Sequence, residues 1–274
     1  MSGSQHSPSN SQPLRGWLWN GSAFAVCDSL PLSDRGFRYG MSVFESLRVA
    51  GGVGEFFEQH LARLMQACGE REFSVDEAAL RAVAPLFHAV ACEGFARIYV
   101  TAGDGALTAP AGQPRVFVFV EDRAVPDSDD AWELTFHDET YHAPFGGLKT
   151  ANYWFNADAL ARARRRRFDE ALLFNDRAEL VSGCCANVFL LHGDRLSTPA
   201  RACGARAGVV REWVMARRAV EERRLRREDV TTADEIFLTN SWLGVQSVAT
   251  LEGRPLARRV IGPKLAAEFA ARRA

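Results

Sequence analysis

The chain has 274 residues and a formal net charge of −1 at pH 7, so its overall charge does not point to nucleic acid or to a membrane surface. Its hydrophobic fraction of 47% and charged fraction of 24% are ordinary for a soluble globular protein with one large domain or two modest ones. No stretch approaches the ~20 apolar residues that cross a bilayer, which argues against a membrane protein and favours a cytoplasmic one.

The N-terminal half of the sequence predicts a first α/β domain over residues 16–140. Residues 1–15 are polar, and we expect them to form a disordered tail. Strand-like runs with turn signals fill residues 17–49, and "FFEQHLARLMQACGE" has the apolar spacing of an amphipathic helix. A second helix is predicted from Ser74 with an interruption at Pro85, and "FARIYVTAG", "RVFVFVED" and "WELTFHDE" predict three strands.

The C-terminal half predicts a second mixed α/β domain over residues 146–274, after an interdomain link at 141–145 where Pro and Gly interrupt the pattern. A helix is predicted from about Asn152 to Arg167, and strands are predicted at "EALLFN", "NVFLLHG" and "EIFLTN". The stretch "GVVREWVMARRAVEERR" is predicted to be one helix, and a last helix is predicted beyond Pro263.

The cysteines and the basic runs carry no metal or nucleic-acid signal. The six cysteines form no CxxC pair and no metal-ligand spacing, so we expect free thiols, including the adjacent Cys184 and Cys185, and no metal site. The runs "ARARRRRF" and "RRAVEERRLRRED" lie on predicted helices without an aromatic stacking platform. We interpret them as solvated faces and predict no nucleic-acid partner.

A lysine stands out against the composition of the chain. Of the 33 Lys and Arg residues, only Lys149 and Lys264 are lysines, so 31 are Arg. The two cations serve about equally on a solvated surface, but an amine can lose its proton and attack a carbonyl, whereas a guanidinium cannot. Lys149, which follows two glycines in "GGLKTANYWFN", is therefore a candidate for covalent chemistry.

Three stretches could supply an anion-binding groove around such a lysine. Residues 208–210 in "RAGVVREWV" stand where the chain enters a helix, so their N–H groups could bind a phosphate, although an ordinary helix start is the simpler alternative. Ser241 ends a polar turn after the strand "FLTN". Arg63 lies near the apolar side of its helix, where it either snorkels to water or grips an anion with two donors.

The strand "SVFESLRV" places Phe44, Ser46 and Arg48 on one face, because side chains alternate along a strand. One aromatic ring, one hydroxyl and one guanidinium suit the wall of a pocket better than a core. A structural Arg48 that pairs with a nearby carboxylate is an equally good interpretation.

Together these stretches resemble the fold-type IV family of pyridoxal-phosphate enzymes, which includes branched-chain and D-amino-acid aminotransferases and aminodeoxychorismate lyase. The resemblance covers about residues 17–268 and rests on motifs in the family's order. They are "SDRGFRYGMSVFESLRV", "EQHLARL", "LKTANY", "DEALLFN", "NVFLL", "STPARACGARAGVVR", "DEIFLTNS" and "LEGRPL". It implies a small N-terminal α/β sandwich, a larger C-terminal mixed α/β pseudo-barrel, and a homodimer that binds pyridoxal 5'-phosphate.

The resemblance also implies roles for individual residues. Lys149 would be the Schiff-base lysine, which explains why it is not an Arg. The residues that would hold the cofactor are Arg63, Tyr153, Ser182, Ser241 and the backbone N–H groups of Val209 and Val210. The candidates on the substrate side are Arg38, Tyr39, Phe44, Ser46, Arg48 and Arg97.

One position departs from the family's pattern. The family carries a Glu five residues before the Asn of "NVF", where it bonds the pyridine nitrogen and keeps the ring a strong electron sink. Counting back from Asn187 leads to Ser182. A Ser hydroxyl makes a weaker sink, and Glu179 could replace it only if the turn between them were rearranged.

Within the family the motifs "GCCANVF", "FLTNSWLGV" and "RYGMSVFES" are most similar to those of aminodeoxychorismate lyases. The predicted function is therefore release of 4-aminobenzoate and pyruvate from 4-amino-4-deoxychorismate for folate synthesis. An aminotransferase for branched-chain or D-amino acids is the alternative, and a pyridoxal-phosphate-binding protein of low activity is a third hypothesis.

Overall fold

A computed structural model describes residues 14–110, 112–125 and 130–272 of the chain. Most of the tail predicted to be disordered, residues 1–13, lies outside the described residues, while Arg15 begins the first strand. The chain divides into two compact units. The first contains the residues up to Tyr39 together with Phe44–Ala124, and the second contains Gly40–Val43 together with the residues from Val125 onward.

The first unit is built on a six-stranded sheet. In chain order its strands are β1 (Arg15–Trp19), β2 (Phe24–Val26), β3 (Ser42–Ala50), β4 (Val53–Gly54), β5 (Glu93–Thr101) and β6 (Arg115–Asp122). They lie side by side in the order β2-β1-β6-β5-β3-β4. The connections contain helices α1 (Arg35–Tyr39), α2 (Phe57–Glu70) and α3 (Glu77–Arg81) and a 3₁₀ turn at Ala84–Ala89.

Helix α2 confirms the amphipathic pattern, since Leu61, Leu64 and Cys68 are buried on one side of it. The next helix starts later than predicted. Its N-cap is Asp76 and not Ser74, because the Asp76 carboxylate accepts the N–H of Ala78. Pro85 then falls in the first turn of the 3₁₀ segment. Backbone N–H groups in a first turn have no partner within the helix, so proline costs no hydrogen bond there.

The second unit holds a larger mixed sheet. Its strands are β7 (Trp132–Phe136), β8 (Glu170–Phe174), β9 (Leu180–Gly183), β10 (Asn187–His192), β11 (Arg195–Pro199), β12 (Val220–Arg223), β13 (Glu235–Asn240), β14 (Gly244–Leu251) and β15 (Arg254–Pro255). Their order is β12-β11-β10-β13-β14-β7-β8-β9, with β15 beside β14. Helices α4 (Trp154–Arg165), α5 (Val209–Met215), α6 (Arg227–Thr231) and α7 (Ile261–Ala271) and 3₁₀ turns at Pro144–Gly146 and Arg201–Cys203 complete it.

The apolar runs of this sheet are buried on both faces. Leu172 packs on one side with Val188 and Ile236 in one core cluster. Leu173, the next residue, packs on the other side in a cluster that includes Ala159 of α4. Burial on both faces explains why β8 reads as a continuous apolar run and not as an alternating one.

Two predicted boundaries are wrong. Strand β7, which we assigned to the first domain, pairs in parallel with β8 and β14 of the second unit, so the division falls near residue 125 and not near 140. The helix predicted over "GVVREWVMARRAVEERR" ends at Met215, and its charged end forms strand β12, paired with β11. Pairing at the edge of the sheet outweighs the helix propensity of the Glu and Arg residues there.

In the described part of the chain, no helix combines the length and the apolar character that crossing a membrane requires.

Candidate active site

Lys149 lies in a tight segment between the 3₁₀ turn at Pro144–Gly146 and helix α4. Gly147 has a positive φ of 105°, and a Cβ there would lie 2.8 Å from the carbonyl oxygen of Gly204, so only glycine fits this approach of two chain segments. Lys149 is half-buried, and its Nζ donates a hydrogen bond of 3.0 Å to the phenol oxygen of Tyr153. The structure therefore brings together the two residues that the "LKTANY" motif singled out.

A second cation, Arg206, meets the same phenol and was missed in the sequence. Its guanidinium donates a hydrogen bond to the Tyr153 oxygen. Burial by itself raises the pKa of Tyr153, but the positive charges of Lys149 and Arg206 outweigh that effect, so the pKa lies below its ordinary value. In a chain with 31 arginines no compositional signal distinguishes this one from its neighbours.

Residues 184–186, within the stretch "SGCCAN", form the turn between β9 and β10, and Cys185 belongs to the site. Its side chain is exposed, and the charges of Lys149 and Arg206 act on its thiol. Surrounding protein and the Glu170 carboxylate nevertheless raise the pKa of Cys185 to about 11, so the thiol is protonated at neutral pH. Cys184, in contrast, is buried, and burial raises its pKa further.

Ser182 lies on β9, half-buried, opposite Leu173 of β8. Glu179 does not take over the place of a carboxylate there, because it is bonded elsewhere. Its carboxylate accepts hydrogen bonds from Asn175 at 2.9 Å, Arg177 at 3.1 Å and Arg224 at 2.6 Å. The local rearrangement that could have restored the family's carboxylate is therefore absent from the hairpin formed by β8 and β9.

Val209 and Val210 open helix α5, after Gly208 at its N-cap. The segment is fixed by Asn187, whose amide donates to the carbonyl oxygen of Arg206 at 2.8 Å. A Cβ on Gly208 would lie only 2.0 Å from the Asn187 side-chain oxygen, so a larger residue at this position would displace Asn187 or the turn. The N–H groups at the start of α5 are thus presented by a tightly packed turn.

Ser241 lies in the turn between β13 and β14. Asn240 shapes this turn, because its side-chain oxygen accepts the N–H groups of Trp242 at 3.0 Å and Leu243 at 2.8 Å. The Asn240 amide also donates to the carbonyl oxygen of Cys185 at 3.4 Å. Beside it, the hydroxyl of Thr239 is buried and has no hydrogen-bond partner among the described residues.

These contacts fit an anionic, ring-shaped cofactor with an aldehyde. Lys149 supplies the amine, and Tyr153 supplies a phenol beside two cations. The turn at Ser241 and the close-packed start of α5 supply N–H donors and hydroxyls. Two hydrogen bonds connect these parts of the second unit. Asn187 donates to the carbonyl oxygen of Arg206, and Asn240 donates to the carbonyl oxygen of Cys185.

Arg63, in the first unit, is held by a buried acid. Its Nε and one terminal nitrogen donate to the two oxygens of Glu45, each at 2.6 Å, and the Nδ1 of His60 lies 2.7 Å from the same carboxylate. Burial raises the pKa of Glu45, but Arg63 and His60 overcome this and hold it far below the usual range. The guanidinium is therefore oriented by a fixed charge, as a side chain that grips an anion needs to be.

Among the predicted substrate-side residues, Phe44 and Arg97 lie in an aromatic face of the first sheet. Phe44 stacks on Tyr99 with ring centres 4.9 Å apart. The guanidinium of Arg97 lies 5.0 Å from the ring centre of Phe95 and 5.6 Å from that of Phe119. Ser46, on the same strand β3 as Phe44, is half-buried.

Arg48, Arg38 and Tyr39 are placed differently. Arg48 is buried and forms an ion pair with Glu93 and a second one, at 3.6 Å, with Glu55. These pairs agree with the structural role that was the alternative for Arg48. Arg38 and Tyr39 are exposed on α1, where the Arg38 guanidinium lies 4.8 Å from the Tyr39 ring centre.

The comparison with known proteins identifies the class to which this fold and site belong. Residues 42–251 match the family described as Amino-transferase class IV, so the chain belongs to that family, whose members are pyridoxal-phosphate-dependent enzymes. The predicted cofactor and the predicted mixed α/β fold are confirmed.

Named relatives include both lyases and aminotransferases. An aminodeoxychorismate lyase of Bacillus subtilis is 25% identical over 80% of this chain and 80% of its own length. The crystal structure of 4-amino-4-deoxychorismate lyase from Pseudomonas aeruginosa has a TM-score of 0.84 at 26% identity, covering 93% of this chain and 98% of that one. The branched-chain amino acid aminotransferase of Escherichia coli shares the fold, with a TM-score of 0.82 at 18% identity over 94% and 93% of the two chains.

Proposed function

We propose that this enzyme is a lyase that converts 4-amino-4-deoxychorismate into 4-aminobenzoate and pyruvate. Two observations carry the proposal: the hydrogen bond between Lys149 and Tyr153, and the presence of Ser182 on β9 at the sequence position where the family has a carboxylate. The Bacillus and Pseudomonas relatives, both named as this lyase, support it.

In the proposed mechanism the bound cofactor supplies an electron sink for the carbon that carries the substrate's amine. Lys149 takes the proton from this carbon on its Nζ, acting as general base. The electrons left behind expel the enolpyruvyl oxygen from the neighbouring ring carbon and the ring becomes aromatic, while the enolate that is released takes the proton back from Lys149 and becomes pyruvate. Tyr153 orients Lys149 through its phenol oxygen, and Arg206 holds the phenol in place.

The remaining assignments divide between holding the cofactor and holding the substrate. When the cofactor is bound, Arg63, Ser241 and the N–H groups of Val209 and Val210 would hold its phosphate, and Ser182 would donate to its ring nitrogen. Arg97 binds a substrate carboxylate, since its guanidinium is oriented by two rings. Phe44 and Ser46 line the pocket with Arg38 and Tyr39, whereas the ion pairs of Arg48 favour a structural role.

Ser182 favours the lyase over transamination for a thermodynamic reason. A hydroxyl at the ring nitrogen leaves that nitrogen neutral and makes a weaker electron sink than a carboxylate does. Elimination gains the stability of an aromatic product, so it tolerates the weaker sink, whereas transamination has no such gain. A Ser182→Glu variant with many-fold higher lyase activity would contradict this explanation.

The test is an assay of purified, cofactor-loaded protein with freshly made 4-amino-4-deoxychorismate, followed by the fluorescence of 4-aminobenzoate. Lys149→Ala is the inactive variant, and Lys264→Ala is its matched control, because Lys264 is the chain's other lysine and is exposed. Product from the wild type and Lys264→Ala, but not from Lys149→Ala, supports the proposal. No product from wild-type protein that retains the cofactor's absorbance overturns it.

A branched-chain or D-amino-acid aminotransferase is the second candidate, favoured by relatives in sequence that carry these names. It predicts that an amino acid alone converts the bound aldehyde into the amine form of the cofactor. The absorbance change that accompanies this half-reaction distinguishes the two activities. Failure of both reactions would favour the third hypothesis, a cofactor-binding protein of low activity.

The proposal extends to assembly and location. We expect a homodimer, to be checked by light scattering of the purified protein, and a role in folate synthesis in the cytoplasm. A mutant lacking this protein that grows without added 4-aminobenzoate would contradict the pathway assignment, provided no second lyase is present.

A further inference from the structure

Glu170 is a buried carboxylate that the proposed mechanism does not use. It is the first residue of β8 and is 1% exposed. One of its oxygens accepts the N–H of Ala171 at 3.0 Å and the N–H of Cys184 at 2.9 Å, and the other accepts the N–H of Cys185 at 3.3 Å. Among the described residues it forms no ion pair with a cationic side chain.

A buried carboxylate without a cationic partner is expensive, so it needs a structural or functional reason. Burial raises the pKa of Glu170 above its ordinary value, and a hydrogen bond with the Cys184 side chain and the three backbone N–H groups oppose that rise without cancelling it. An Asn or Gln side chain could accept one or two of these hydrogen bonds at a smaller cost of desolvation. A glutamate at position 170 therefore serves either to provide a second acceptor oxygen or to provide a negative charge.

The turn that Glu170 supports is fixed from several sides. Asn156 of α4 donates to the carbonyl oxygen of Cys184 at 2.8 Å, and Asn240 donates to that of Cys185 at 3.4 Å. A Cβ on Gly183 would lie 3.2 Å from Cγ of Glu170, so β9 passes close to the side chain of this acid. Two side-chain amides and one carboxylate thus fix the backbone of two adjacent cysteines.

The side chains of Glu170 and Ser182 point to opposite faces of their strands. Ser182 pairs with Leu173, three residues from Glu170, and an odd separation along a strand reverses the face. Glu170 cannot therefore substitute for the family's carboxylate by direct contact from the Ser182 side. Its influence reaches the site through the N–H groups of the turn and through its charge, which acts on the Cys185 thiol.

We propose that Glu170 is a positioning residue of the active site. It fixes the Cys184–Cys185 turn beside Lys149 and Arg206 through hydrogen bonds from the two cysteine N–H groups, and its charge, once it is ionised, acts on that turn. This inference rests on the placement of the cofactor beside Lys149 and is independent of whether the enzyme eliminates or transaminates.

The Cys185 thiol reports on this charge in protein without cofactor. The titratable and charged groups that act on it are Glu170 of β8, Arg164 of α4, and Lys149, Tyr153, Cys184 and Arg206. Glu170 raises the pKa of Cys185 and the three cations lower it. Cys184 is buried and its pKa is raised further, so its thiol reacts more slowly than that of Cys185. Peptide mass spectrometry shows which of the two cysteines carries the label.

The experiment compares Glu170→Gln with Glu133→Gln, a control at an exposed side chain in the same sheet. Gln keeps the shape and one acceptor oxygen but loses the charge and presents an amide to the N–H of Cys185. We expect the alkylation of Cys185 to reach its midpoint at a pH lower by roughly one unit in Glu170→Gln. We also expect the affinity for pyridoxal 5'-phosphate, measured by absorbance titration, to fall about tenfold.

The Glu170 variants decide whether the proposal holds. A folded Glu170→Gln protein with the alkylation profile and cofactor affinity of the control overturns the proposal. If Glu170→Gln does not fold, Glu170→Asp decides, and an Asp variant with the cofactor affinity of the control overturns the proposal. Glu170→Asp, which keeps the charge but shortens the side chain, is expected to retain the raised midpoint while losing cofactor affinity. Loss of activity with unchanged alkylation and affinity would count against the proposed reaction and not against Glu170.

Discussion

The side-chain oxygen of Asn187 lies 2.0 Å from the position that a Cβ on Gly208 would occupy. Asn187 belongs to β10 and also holds the carbonyl oxygen of Arg206 at 2.8 Å, so one amide side chain fixes both the loop that carries Arg206 and the start of α5. Two parts of the proposed cofactor site therefore depend on one close contact between a strand and a loop.

Gly208→Ala tests this contact. The added methyl group must displace either Asn187 or the turn, which moves the N–H groups of Val209 and Val210. We expect the dissociation constant for pyridoxal 5'-phosphate to rise at least tenfold, which corresponds to about 1.4 kcal/mol. The measurement is an absorbance titration of the apoprotein.

Gly69→Ala is the matched control for that variant. Gly69 lies within α2, and a Cβ there meets nothing within 4 Å. Ala is the better helix former, so this change should leave cofactor binding intact and stabilise the fold slightly. Equal affinities for the two variants would show that the Asn187 contact does not shape the site.

Arg206→Ala tests the effect of the second cation on Tyr153. Removing a positive charge beside a phenol disfavours the phenolate, so the pKa of Tyr153 should rise from its lowered value. Ultraviolet difference titration of the apoprotein measures it, with Tyr153→Phe to assign the signal among the four tyrosines. Arg165→Ala, at an exposed position on α4, should leave the titration unchanged. A Tyr153 titration that is the same in Arg206→Ala and Arg165→Ala would disprove the coupling.

The sequence identified Lys149 because its residue type was rare, and Arg206 escaped because its type was common. The same limit applies to Glu170, which opens a strand motif and carries no spacing that marks it as buried. Strand β12 was missed because "VEER" has no apolar alternation, and its place is set by pairing with β11, 20 or more residues away in the chain. Long apolar runs such as β8 and β13, in contrast, were predicted correctly because burial on both faces leaves a local signal.

Arg48→Met distinguishes a structural role from a substrate-binding one. Arg48 is buried against Glu93 and Glu55, so its removal leaves acids without their partner and should lower the free energy of unfolding by about 2 kcal/mol. The Michaelis constant for the substrate should stay within twofold of the wild type. Urea unfolding and steady-state kinetics give the two values, and a large rise in the Michaelis constant without loss of stability would return Arg48 to the substrate side.

The hairpin of β8 and β9 should make stability depend on acid pH. Hydrogen bonds from Asn175, Arg224 and Arg177 lower the pKa of Glu179 from 4.5 to about 2. The ionised form is thus favoured in the folded state, so the stabilisation is complete above the unfolded pKa and is lost as the pH falls toward about 2. Urea unfolding at a series of pH values from 7 down to about 3 should show a smaller loss of stability for Glu179→Gln than for the wild type or for Glu133→Gln. Parallel curves for all three proteins would mean that Glu179 has the same pKa in the folded and unfolded chains.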